Sequence, residues 1–161
     1  MSDEYTPASI SPEAELAQKV LRETLRLMDF SATVEIEETP EQILLTLISD
    51  QPMGVLIGKS GQTLNALELV VRTIVEHQLR SAEKRIVIDA EGYRQRHADH
   101  LRETARAAAQ RVLDTGEPFA MEPMNARDRR TVHTEITEIA GLATESAGED
   151  PFRHIVIRLA G

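Results

Sequence analysis

The sequence contains no cysteine and no tryptophan, and its apolar runs are short. The absence of cysteine excludes disulfide bonds and thiolate metal sites. No run approaches the roughly 20 apolar residues that a membrane-spanning helix needs. The first five residues are acidic and lack the basic and apolar regions of a signal peptide. Together these absences favour a cytoplasmic protein.

Basic residues are also scarce, because the 161-residue chain has a formal net charge of −9. This balance argues against a protein that binds nucleic acids nonspecifically through a broad basic surface. The excess of acidic over basic residues is uneven along the chain. Residues 1–83 carry six Lys and Arg against 14 Asp and Glu, and residues 84–161 carry 12 against 13. Any cationic site must therefore be local, and most of the charges are expected to form solvated faces.

The sequence also lacks the common catalytic signatures. It has no G-x-x-x-x-G-K-[ST] nucleotide loop, no H-E-x-x-H, no G-x-S-x-G and no cysteine nucleophile. His97 and His100 are three residues apart and raise a metal site as a possibility, but no further cluster of ligands accompanies them. We therefore predict a noncatalytic protein without a metal or cofactor.

The most informative stretch is the tetrapeptide Gly58-Lys59-Ser60-Gly61, which lies between a short apolar segment and an amphipathic helix. Leu64, Leu67, Val71, Ile74 and Val75 recur at helical spacing after it. The N-terminus of a helix presents free N–H groups and a partial positive charge, so this loop could hold a phosphate. A plain turn between two elements is the alternative that the tetrapeptide alone leaves open.

The elements around this loop have a distinctive order. Ser11 and Pro12 form a helix start, as N-cap and first residue. The pattern predicts a helix to about residue 27 or 28 that buries Leu16, Val20, Leu21 and Leu27 or positions near them. It also predicts strands at 33–37 and 43–48, a short helix at 53–57, a long helix at 62–77 and a strand at 85–89.

This order and the segment Val55–Leu64 resemble the type II KH domain (α-β-β-α-α-β) of bacterial proteins. The resemblance implies that Gly58, Lys59, Ser60 and Gly61 clamp the backbone of single-stranded nucleic acid. With 3% aromatic residues, the chain fits this module better than those that stack bases on aromatic platforms. Leu56 and Ile57 are candidate walls of an aliphatic groove. A KH scaffold that binds only protein remains the alternative.

The second half begins with a predicted helix from Tyr93 to about Asp114, whose alanines and arginines suggest an exposed connector with a narrow apolar stripe at residues 101, 105, 108, 112 and 113. Gly116 is its predicted C-cap. A short strand at 119–122 and a helix capped by Asn125 follow, with Val132, Ile136, Ile139 and Ala140 as its buried stripe. Arg129 and His133 lie one turn apart on that helix. Taken alone, they could be an ordinary solvated pair.

Arg129 and His133, preceded by Met121–Met124 and followed by the hairpin sequence at 143–157, resemble the motif of the R-x-x-x-H domain. The resemblance implies that Arg129, His133 and the adjacent Arg130 contact nucleic-acid phosphates.

We therefore expect an α+β protein of two small domains. A disordered acidic tail is expected at 1–12, a KH domain at 13–92, and an R-x-x-x-H domain at 93–161 that includes the connecting helix 93–115.

A KH domain followed by an R-x-x-x-H domain resembles the Jag, SpoIIIJ-associated or KhpB-like family of bacterial RNA-binding proteins. The likeness extends over residues 13–161 and includes the segments 89–94 and 146–153. It implies binding of single-stranded RNA, regulation linked to cell elongation or division, and pairing with a small KhpA-like protein that has only a KH domain, or self-association. Many members carry a further N-terminal Jag domain, whereas about a dozen residues precede the first helix here. A protein–protein adaptor is the alternative function.

Overall fold

A computed structural model describes residues 10–80 and 83–161 of the chain. Its internal contacts divide the protein into two compact units, of which the first ends at Arg94 and the second is Gln95–Gly161. Each unit has its own three-stranded sheet and its own apolar core. The predicted α+β class with two small domains is confirmed. The predicted tail lies mostly outside the described residues, although Pro12 already begins a helix.

The first unit has the predicted α-β-β-α-α-β order. Its elements are α1 (Pro12–Leu27), β1 (Thr33–Glu38), β2 (Gln42–Ile48), α2 (Gly54–Ile57), α3 (Gln62–Leu79) and β3 (Arg85–Ala90), with a 3₁₀ turn at Lys59–Gly61 between α2 and α3. The strand order is β1-β2-β3, with β1 antiparallel and β3 parallel to the central β2. Helices α1 and α3 pack against each other, and both contribute buried residues to the core under the sheet.

Helix α1 starts as the sequence indicates but buries a partly different set of residues. The Ser11 hydroxyl accepts a hydrogen bond from the Ala14 N–H, which confirms the N-cap. Leu21 is fully buried and Leu16 and Val20 pack against the core, as predicted. Leu27 is 72% exposed, and the nearby Leu25 is buried in its place. The buried positions are Ala14, Ala17, Leu21 and Leu25. The helix therefore faces the core with alanines in its first turns, where its backbone can approach closely.

Glu38, at the end of β1, ties together three parts of the first unit. Its carboxylate accepts from the Lys84 ammonium at 2.6 Å and from the Ser11 N–H at 2.9 Å. The side chains of Glu38 and Lys84 are 14% and 25% exposed, so solvent screens the pair only partly. Burial raises the pKa of Glu38, but the hydrogen bonds from Lys84 and Ser11 outweigh it and lower this pKa from 4.5 to about 2.

Because the pKa of Glu38 is lower in the folded state, its stabilisation is present above pH 4.5 and is lost as the pH falls towards about 2. Glu38→Gln is expected to lower the free energy of unfolding by about 2 kcal/mol at neutral pH and by much less near pH 3. Urea titrations at both pH values measure the difference. Glu37→Gln is the matched control, because Glu37 is its neighbour on the same strand. An equal effect of the two variants at pH 7 would contradict the prediction.

The second unit contains α4 (Tyr93–Thr115, with its first two residues in the first unit), β4 (Phe119–Ala120), α5 (Ala126–Thr137), β5 (Leu142–Ala147) and β6 (His154–Leu159). Its sheet has the order β4-β6-β5, and all pairs are antiparallel. The Asn125 side chain caps α5 by accepting from the Asp128 N–H. Gly116 follows α4 with φ of 73°, and its N–H donates to the Val112 carbonyl, so both predicted caps are confirmed.

Helix α4 is a core element of the second unit rather than an exposed connector. Ala105, Ala108, Ala109 and Val112 are buried in the core that the sheet and α5 also form. Leu113, predicted to be buried, is 43% exposed. Ala140 lies beyond the end of α5 and is exposed, so its predicted place in the buried stripe is also wrong. The stripe of α4 that enters this core therefore consists mainly of small residues.

Candidate nucleic-acid interface

The G-K-S-G loop adopts a backbone that its two glycines make possible. Gly58 has φ of 71° and ψ of 179°, a region that is essentially restricted to glycine. Gly61 is left-handed with φ of 76°. Ser60 is also left-handed, with φ of 51°, although it carries a side chain. Such a conformation costs a non-glycine residue about 1 kcal/mol. Because the strained residue Ser60 lies in an exposed loop, its conformation does not serve packing of the core.

The loop leads directly into α3, whose N-terminus has no side-chain cap and no acidic residue in its first turn. The N–H groups of a helix start are left without helical partners, and they favour an anion. Lys59 and Ser60 are exposed beside this terminus. Within the described ranges, Lys59 makes no ion pair. The loop therefore offers a mobile cation, a hydroxyl and a helix N-terminus in one place.

The segment after β3 packs against this loop and against the helix that follows it. A Cβ atom built on Gly61 would lie 2.8 Å from Cε1 of Tyr93, so the ring packs directly against the loop backbone. The Arg94 guanidinium donates to the Glu68 carboxylate at 2.9 Å and to the Ile88 carbonyl at 3.1 Å. Glu68 lies on α3, so Arg94 fixes the helix that carries the loop. Sequence reasoning did not assign these roles, although residues 89–94 belong to the segments that resemble the family.

The predicted aliphatic walls are only partly available. Leu56 is fully buried in the core, so it cannot contact a ligand. Ile57 is half-buried, and Val55 on the same short helix is 71% exposed. Apolar surface near the loop therefore comes from Val55 and Ile57. The sequence could not separate these positions, because a four-residue helix is too short to show a period.

In the second unit, Arg129 and His133 both project from α5 towards the β5–β6 hairpin. One Arg129 nitrogen, Nη1, donates to the Met124 carbonyl at 2.8 Å and to Asp150 at 3.4 Å. The Arg129 side chain is 11% exposed. No fully buried side-chain nitrogen in the described residues lacks a hydrogen bond. The other N–H groups of the Arg129 guanidinium therefore reach solvent. Arg130, next along the helix, is exposed.

His133 contacts β5, which is an edge strand of its sheet. Its Nδ1 is in hydrogen-bonding contact with Thr144 Oγ1. Two residues further along the same strand, Ser146 Oγ accepts from Arg153 Nε at 2.9 Å. Alternate residues of a strand lie on one face, so these contacts follow one another along β5. Arg129, His133, Thr144, Ser146 and Arg153 are called the β5 strip below. Arg153 is a cation of this strip that motif reasoning missed.

His97, one of the two histidines considered as metal ligands, contacts the start of α5. His97 Nε2 lies 2.9 Å from Asp128 Oδ2, and the Asn125 amide donates to the same oxygen at 2.9 Å. Asp128 is the buried charged residue at the start of α5. Among the described residues, no three His, Asp or Glu side chains gather as metal ligands. Within the same ranges, no helix is both long and apolar enough to cross a membrane.

Comparison with known families agrees with this geometry. Residues 14–88 match the KH domain of KhpA and KhpB, and residues 99–159 match the R-x-x-x-H domain. The protein thus belongs to the class that joins a KH domain to a following R-x-x-x-H domain. Within that class, the chain belongs to the Jag/KhpB family.

Several curated relatives are similar to the chain over two thirds of its length or more. It is 37% identical to the RNA-binding protein KhpB of Clostridium symbiosum over 82% of its own length and 59% of the relative's. It is 35% identical to the RNA-binding protein KhpB of Bacillus subtilis over 68% of its own length and 53% of the relative's. For KhpB of Streptococcus pneumoniae the identity is 28%, over 81% of this chain and 39% of the relative. The chain therefore spans about half the length of these relatives.

Proposed function

We propose that this protein binds single-stranded RNA without catalysing a reaction, and that both units contact the RNA backbone. The G-K-S-G loop of the first unit holds one phosphate, and the β5 strip holds another. In this proposal the protein acts in the cytoplasm as a post-transcriptional regulator connected with cell elongation or division. The names of the relatives and the two domain types support RNA as the ligand.

The observation that carries the proposal is the strained loop at an uncapped helix start. Strained backbone is retained at sites where it holds functional groups in place. Here Ser60 adopts positive φ, and the loop then places the exposed Lys59 beside the N-terminus of α3, which no side chain caps. A phosphate between them would accept hydrogen bonds from the helix terminus and pair with the ammonium group. A plain turn would need neither the exposed cation nor an uncapped helix.

In the second unit, Arg129 serves first as a positioning residue. Its contacts with Met124 and Asp150 hold the start of α5 against the hairpin turn. We propose that its solvent-facing N–H groups, His133 and the exposed Arg130 donate to a phosphate. Arg130→Gln is therefore a better test of contact than Arg129→Ala, because loss of Arg129 would also release the hairpin.

The salt dependence of binding tests how many phosphates are contacted. Fluorescence anisotropy with a labelled oligouridylate should give a slope of log K against log[salt] of about −1.4 to −2.8, which corresponds to roughly two to four phosphate contacts. Duplex DNA of equal length should bind far more weakly, since neither site is shaped to enter a groove. A slope steeper than about −5 would indicate a broad basic surface and contradict two local sites.

The second candidate function is a protein–protein adaptor. It is favoured by Leu69 and Val70, which are 53% and 43% exposed on α3. Adjacent exposed apolar residues on one helix suit contact with another protein chain. The partner would be a small KhpA-like protein or a second copy of this chain. If no oligouridylate binding is measured at low salt, while sedimentation shows a stable complex or dimer, the adaptor function replaces the RNA-binding one.

A further inference from the structure

One aromatic ring stands in solvent at the end of the β5 strip. Phe152 lies in the turn between β5 and β6 and is 72% exposed. The other aromatic residues of the described chain are engaged: Phe30 packs against the first core, Tyr93 lies under Gly61, and Phe119 is half-buried with the Arg111 guanidinium 5.1 Å from its ring centroid. Phe152 is therefore the exception, because its ring faces water.

The turn holds this residue in a fixed position. The Phe152 N–H donates to the Glu149 carbonyl at 2.8 Å. Its own carbonyl lies 3.0 Å from His154 Nδ1, and since a carbonyl only accepts, this nitrogen is the donor. The next residue, Arg153, is held by Ser146. The backbone that carries the ring is thus bonded on both sides, which fixes the point at which the exposed ring leaves the turn.

The surroundings of the ring suit a nucleobase better than a protein partner. The other two large apolar side chains exposed in the second unit's described residues are Leu113 and Leu159. Leu159 lies at the far end of β6, where it comes 3.9 Å from a Cβ built on Gly116 after α4. Phe152 therefore belongs to no continuous apolar patch of the kind that docks proteins. The cation Arg153 follows it directly in sequence, and Asp150, two residues before it, is paired with Arg129.

We propose that Phe152 stacks on an unpaired nucleobase of single-stranded RNA while the β5 strip contacts the adjoining backbone. This inference rests on the proposed RNA-binding function and adds a base-binding position to it. Stacking on an exposed ring accepts any base, because every base has a π-face. The second unit would therefore prefer unpaired bases without reading their sequence.

The test exploits the absence of tryptophan from the chain. Phe152→Trp places a single fluorophore at the proposed position, and Phe152→Leu keeps an apolar side chain without an aromatic face. In the full chain, Phe152→Leu should weaken binding of oligouridylate about five- to tenfold, whereas Phe152→Trp should retain it. Oligouridylate should quench the tryptophan fluorescence, and an abasic oligomer of the same length should not. Circular dichroism should show unchanged folding, since the side chain is exposed.

The outcomes separate this inference from the function on which it rests. If Phe152→Leu binds RNA as tightly as the wild-type chain, while the Lys59 and Ser60 variant discussed below binds it more weakly, the stacking role is overturned and RNA binding stays in place. Equal quenching by the abasic oligomer would also overturn it, because the ring would then sense the backbone alone. Absence of RNA binding by the wild-type chain would overturn both. Loss of a protein complex in Phe152→Leu, with RNA affinity unchanged, would assign the ring to a protein contact instead.

Discussion

Replacing Lys59 and Ser60 together by aspartate is expected to lower the affinity for single-stranded RNA at least tenfold, or about 1.4 kcal/mol. The change removes the exposed cation and places two carboxylates where the helix N-terminus would hold a phosphate. Aspartate is among the residues that tolerate the left-handed conformation of position 60. Both glycines remain, so the loop should keep its path. Anisotropy with labelled oligouridylate measures the loss.

Lys59→Gln with Ser60→Asn is the matched control. It removes the same cation and hydroxyl without adding negative charge, and asparagine also accepts positive φ. Its loss of affinity should be clearly smaller than that of the aspartate pair. Both double variants should unfold at the wild-type urea concentration, since the two side chains are exposed. A folded aspartate variant that binds RNA with wild-type affinity would remove the loop from the interface.

Much of the fold could be predicted because its signals are local. Ser11, Asn125 and Gly116 act within a few residues of their own helix ends, and all three caps are present. The strands were also visible, since alternation over six or seven residues is enough to identify them. The wrong predictions concern which residues of a helix face the core. The pattern predicts burial at or near Leu27, whereas the buried positions of α1 are Ala14, Ala17, Leu21 and Leu25.

Helix α4 shows why small residues mislead a reading of sequence. Three of its four buried residues are alanines, which contribute little to a periodic hydrophobic pattern. They are buried in a core that also includes residues on α5, β5 and β6, which are separated from α4 in sequence. Only the folded chain supplies those neighbours. An alanine-rich, arginine-rich segment therefore looked like an exposed connector.

The candidate site also has a part that the sequence predicts and a part that only the structure shows. The G-K-S-G loop and the Arg129 and His133 pair are spacings within one short segment, so the sequence displays them directly. The supports do not follow from spacing, because Tyr93 and Asp150 are distant in sequence from Gly61 and Arg129, the residues that they contact. Arg153 joins His133 only because β5 places Ser146 and Thr144 on one face. Whether these residues contact RNA stays a prediction.

The largest expected loss of stability comes from Gly61→Ala. Position 61 has φ of 76°, which costs alanine about 1 kcal/mol. The new Cβ would also lie 2.8 Å from the Tyr93 ring, and such overpacking adds about 1–3 kcal/mol. Urea unfolding of the first unit should therefore show a loss of about 2–4 kcal/mol. Gly141→Ala is the control for backbone strain alone, because it has φ of 84° and nothing within 4 Å of its Cβ position.

A double-mutant cycle with Tyr93→Leu separates the two causes. In that background the ring is gone, so Gly61→Ala should cost only its backbone strain, as Gly141→Ala does. The coupling between positions 61 and 93 should then be about 1–2 kcal/mol. Additive effects, or a Gly61→Ala variant no less stable than Gly141→Ala, would show that Tyr93 does not support the loop. A positive result would mean that substitutions of Gly61 report on folding, and that only Lys59 and Ser60 can test contact with RNA.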